Sequence, residues 1–78
     1  MVELRRVEFR VLWRIEEGAE SPEGVMSMLD LSLKDIQQVF LSLSSLGLIS
    51  LNKEQEFWSA QTTEKAKELY AQYEHWIE

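Results

Sequence analysis

The sequence predicts a small, mostly helical α+β domain: a three-helix core, a short two-stranded hairpin and a C-terminal helix. Three observations carry this. The stretch 32–49, SLKDIQQVFLSLSSLGLI, sets Ile36, Val39, Phe40, Leu43 and Leu46 on one helical face. Before it, 21–32, SPEGVMSMLDLS, reads as a shorter helix followed by a turn. After Gly47 the pattern turns extended, reverses once, and becomes helical again from Thr63. At 78 residues the chain makes one domain, 1–78.

The elements can be justified in order. Residues 3–17 form a first helix with Leu4, Val7, Val11, Leu12 and Ile15 as its apolar stripe, widened by Phe9 and Trp13. All four arginines lie here, with Arg6, Arg10 and Arg14 along one edge, which reads either as a solvated face paired locally or as a ridge that meets phosphates or an acidic partner. Arg5 with Glu8 and Arg14 with Glu17 have the i, i+3 spacing of local pairs. Gly18 and Ala19 break this helix. Ser21 at the N-cap and Pro22 at the first helical position start the next one. It turns Val25, Met26 and Leu29 inward over about two turns, and Leu31 plugs the gap to the third helix.

The third helix, 33–46, starts at Ser32 as N-cap and stops at Gly47, which can take a left-handed C-cap conformation. Leu48–Asn52 then reads as a strand, Lys53-Glu54-Gln55 as a turn and Glu56–Ala60 as the returning strand. Phe57 and Trp58 must face opposite sides, and Trp58 shares the inward parity of Ala60. Thr62-Thr63 caps a last helix running to about Ile77, with Ala66, Leu69, Tyr70, Tyr73, Trp76 and Ile77 on its apolar face.

Composition narrows the class. An apolar fraction of 45% and a charged fraction of 28% are globular values. There is no cysteine, which removes disulfides and soft metal sites and suits a reducing compartment. No apolar run reaches the roughly 18 residues of a membrane span, and the start of the chain lacks a signal-peptide core, so the reading is cytoplasmic with no membrane partner. Catalysis finds no support. The one histidine is His75, the three glycines make no phosphate loop, and no serine has a base at a triad-like spacing. The expectation is a non-enzyme without metal or cofactor.

Two segments carry a family resemblance. Ser32, Ile36, Phe40, Leu43, Gly47, Leu48 and Ile49 match the spacing of the recognition helix in winged helix-turn-helix domains. The stretch 21–32 resembles the first helix and turn of the same motif, with Asp30 where the family usually has glycine. TTEKAKEL, 62–69, is similar to the Leu-Thr-Glu-Lys-Gly phrase opening the closing helix of many such regulators, departing at Thr62 and Ala66. The chain is therefore identified as a member of the winged helix-turn-helix superfamily, similar to small transcriptional regulators of the MarR and PadR type.

That resemblance implies double-stranded DNA as partner, read in the major groove by helix 33–46. The residues it assigns to the groove side include Leu33 and Asp35, and DNA contact falls to Lys34, Gln37, Gln38 and Ser42, with Lys53 on the hairpin, or wing. Gln37 and Gln38 can make paired hydrogen bonds to adenine, and Lys34 can reach guanine or a phosphate. Net charge opposes this reading: −6 at pH 7 repels a polyanion. Lys34 is the recognition helix's one cation, and Leu33 and Leu41 add apolar surface. The alternative is an acidic winged helix that binds another protein instead of DNA. Leu69, Tyr70, Tyr73, Trp76 and Ile77 exceed what so short a core can cover, and the sequence predicts a homodimer through them.

Overall fold

The computed structural model describes residues 4–54 and 57–73. Among these the order is α1 (Arg6–Glu16), α2 (Pro22–Met26), α3 (Leu33–Ser45), β1 (Ile49–Glu54), β2 (Phe57–Thr62) and α4 (Glu64–Gln72). The two strands form one antiparallel hairpin.

Local chemistry sets each boundary. At the start of α1 the Glu8 carboxylate accepts a hydrogen bond from the Arg5 amide at 2.9 Å. Both α1 and α3 end on a left-handed glycine, Gly18 at φ 122° and Gly47 at φ 79°. Past α1, the amides of Gly18 and Ala19 donate back to the carbonyls of Ile15 and Arg14. Past α3, Gly47 and Leu48 donate in the same pattern to Ser44 and Leu43. Ser21, Ser32 and Thr63 are the N-caps of α2, α3 and α4, their hydroxyls accepting from the amides of Gly24, Asp35 and Ala66. All three caps are those expected from the sequence.

The core lies where the helical faces meet. Phe9, Val11, Leu12 and Ile15 of α1 pack with Val25 of α2 and with Ile36, Val39, Phe40 and Leu43 of α3. Leu48, Ile49, Ala60, Ala66 and Leu69 close it from the hairpin and α4. Phe9 also anchors an aromatic group, with Trp13, Tyr70 and Tyr73 at centroid distances of 6.4, 6.1 and 5.5 Å. The Leu4 amide donates to the Tyr73 hydroxyl at 3.0 Å, fastening Leu4 to the residue that closes α4.

One buried oxygen stands out. The Tyr70 ring is half-buried and its hydroxyl is enclosed beside Glu16 and Thr62, without a hydrogen bond of good geometry to either. Burial is the main force holding this phenol well above its ordinary pKa, and the Glu16 carboxylate adds to it.

Four expectations need correction. The first helix begins at Arg6, and within it Val7 is only half-buried while Phe9 takes the central place. Met26 is 41% exposed rather than inward, because α2 ends there after a single turn. The amides of Met28 and Leu29 both return to the Val25 carbonyl, so Val25 and Leu29 alone of the three face the core. In the hairpin, Lys53 and Glu54 are not turn residues but close β1, paired with Trp58 and Phe57. The returning strand correspondingly runs on to Thr62. Trp58 is the inner member of its pair as expected, and Phe57 is 77% exposed. Trp76 and Ile77 lie outside the described residues.

Candidate nucleic-acid interface

α3 is held by its apolar side, so its other side is what the domain presents. Ile36, Val39, Phe40 and Leu43 are buried, and at 3.6 residues per turn the opposite face carries Lys34, Gln38, Leu41 and Ser45. Lys34, Gln38 and Ser42 are exposed and Gln37 is half-buried. Leu41, at 38% exposure, interrupts this polar face. The C-terminal end of the helix is fixed from α4: Lys65 Nζ donates to the Leu46 carbonyl at 2.9 Å, and Thr63 Oγ1 donates to that of Gly47 at 2.7 Å.

Not all candidate residues gather at one place. Gln38 and Ser42 line an open groove of about 380 Å³ together with Asp35 and Val39 of α3, Leu31 of the preceding turn, and Arg5 and Val7 of α1. Lys34 stands on the same helix outside that groove. Lys53 is in β1, with its ammonium 5.5 Å from the centroid of the Trp58 ring, a cation–π contact on the hairpin. A smaller groove of about 250 Å³ lies against the other side of the hairpin, lined by Glu20, Ser50, Asn52, Ser59, Ala60 and Gln61.

Arg5 lies at this surface too, although its sequence neighbours give no sign of it. Read along the chain, it pairs with Glu8, and that contact exists, Nε to Oε1 at 3.4 Å. Nothing at the sequence level says that α1 begins beside the middle of α3. The remaining cations are mostly engaged elsewhere: Arg14 with Glu17 at 2.7 Å, Lys67 with Glu64 at 3.8 Å, and Lys65 on the end of α3.

Of the expected dimer residues, Leu69 is only 6% exposed and belongs to the core. Tyr70 and Tyr73 are half-buried in the aromatic group around Phe9.

No protein-family model and no curated protein matches this sequence. Among solved structures, an ArsR-like transcriptional regulator from Rhodococcus sp. RHA1 superposes with a TM-score of 0.65 over 92% of this chain and 73% of that one, at 16% identity. That neighbour is described as ArsR-like, so the comparison gives no support to the narrower MarR or PadR expectation. At so low an identity the likeness speaks for architecture alone. Helix order, hairpin and superposition agree: the chain has the winged helix-turn-helix fold.

Proposed function

We propose that the protein is a small DNA-binding transcriptional regulator, acting as a homodimer that reads the major groove with α3. The observation that carries this is the outward face of α3, where Lys34, Gln37, Gln38 and Ser42 reach the surface of a helix whose other side is locked in the core. The structural neighbour, described as a transcriptional regulator, supports the same reading. Gln37 and Gln38 carry base preference, while Lys34, Ser42 and the hairpin's Lys53 meet phosphates. The half-buried Tyr70 and Tyr73, with Trp76 and Ile77, join two subunits and so double a low cation count. Among the described residues no helix is long and apolar enough to cross a membrane. We further propose a cytoplasmic location for it, and this role needs neither catalysis nor a cofactor.

A binding titration against random and selected duplexes tests the proposal. A dimer contacting about four to six phosphates loses roughly two to three decades of affinity between about 50 and 200 mM salt. Lys34→Ala weakens binding to every sequence and flattens that slope. Absence of binding to any duplex at the low-salt end overturns it. The second reading, an acidic module for a protein partner, draws on the net charge of −6 and on Leu41 amid the polar face of α3. Under it, Leu41→Ser abolishes capture of the partner, and the duplex titrations stay blank.

A further inference from the structure

We infer that Arg5, at the start of α1, is a phosphate-contacting residue and extends the nucleic-acid interface from α3 onto α1. The inference rests on the reading of α3 as the groove-entering helix.

The argument begins with geometry. A helix seated in a major groove about 12 Å wide has a sugar-phosphate backbone along each flank, because the helix with its side chains nearly fills the groove. Phosphate contacts therefore come from whatever lies beside the helix. Beside Gln38 and Ser42, on the flank that bears the open groove, lies Arg5. Its side chain is 77% exposed, and among the described residues its partner is Glu8, held through Nε at 3.4 Å. The terminal N–H groups of the guanidinium remain, and a planar fork of donors suits a phosphate's oxygens. Ser42 on the opposite wall offers a hydroxyl to the same anion.

The groove also contains a countervailing charge. Asp35 lies in its wall and Glu8 holds the guanidinium from the α1 side. These two carboxylates oppose the entry of small free anions. A polyanion positioned by α3 and Lys34 brings its phosphate to Arg5 by docking, without help from long-range attraction. Arg5 thus adds to affinity once α3 is in place, and the two carboxylates hold down binding to anions in general.

The experiment measures affinity of the whole chain for a fluorescein-labelled duplex of random sequence, from about 50 to 200 mM salt, where each lost phosphate contact lowers the log–log slope by about 0.9. Arg5→Gln is expected to lower it by that amount per subunit, Arg5→Lys to keep it, and Lys67→Gln, which removes a charge from α4, to leave it unchanged. Glu8→Gln provides a second route that does not disturb the start of α1, since glutamine still accepts the Arg5 amide. Freeing the guanidinium this way tightens binding more than Glu68→Gln, which removes an equal charge elsewhere. If the wild-type slope is present, and neither Arg5→Gln nor Glu8→Gln departs from its charge-matched control, this inference fails while the α3 reading stands. If the wild type binds no duplex, both fail.

Discussion

A tyrosine hydroxyl that is buried beside a carboxylate makes the fold sensitive to alkali. Tyr70 has its pKa raised, first by burial and then by Glu16, so the folded chain favours the protonated phenol. The unfolded chain ionises it near the ordinary value of about 10. The stabilising preference is therefore intact below that pH and disappears as the pH climbs past it towards the folded value. Thermal melts above about pH 10 should show the wild type losing stability faster than Tyr70→Phe. At neutral pH the phenylalanine variant should melt no lower, because an enclosed hydroxyl without a good partner contributes nothing that its removal would lose. A lower melting point at pH 7 would mean that Glu16 or Thr62 does bond it. On α3, Gln37→Ala or Gln38→Ala should cost about 1–3 kcal/mol on the preferred site and relax one or two base pairs there. Selection of binding sites from a random pool reads this directly, and an unchanged preferred site would remove both residues from base reading.

At the scale of elements, α3 is both the centre of the core and the presented surface. Phe40 is fully buried, and Phe40→Ala should destabilise the domain by about 3–5 kcal/mol, as measured by urea unfolding. A nearly unchanged midpoint would mean that the helix has another register. At its C-terminal end, Gly47→Ala should cost about 1–2 kcal/mol from the positive φ alone. The added Cβ would meet only Lys65, no nearer than 3.7 Å, so no clash contributes. These elements were legible because caps and periodicity agree: Ser21, Ser32 and Thr63 mark starts, and Gly18 and Gly47 mark ends. The misplacements have local causes. Helical spacing points Met26 inward only if α2 continues, and it has a single turn. The strands exceed the length expected from the sequence because no Asn-Gly or Asp-Gly pair fixes the hairpin's turn, and Lys53 fits a tip as well as a strand. Arg5 could not be found beside α3 because nearness across 30 residues of chain is set by how α1 crosses α3, which spacing along one helix does not encode.

For the whole molecule, size is the governing fact: a 78-residue chain with no disulfide has a small margin, and a second copy would enlarge it. If the subunits join through the last helix, Trp76→Glu should halve the mass in light scattering and make melting lower and independent of concentration. A wild type that is monomeric at high micromolar concentration would end that assembly. The join between α3 and α4 then acquires a mechanical meaning. Thr63 bonds Gly47 through its hydroxyl and Leu48 through its amide, and Lys65 reaches Leu46, joining the start of α4 and its N-cap to the residues just past α3. With that corner braced at several points, α4 serves as a handle on α3. Any tilt imposed on α4 where two copies meet would swing both reading helices, changing the spacing between the two grooves they can enter at once.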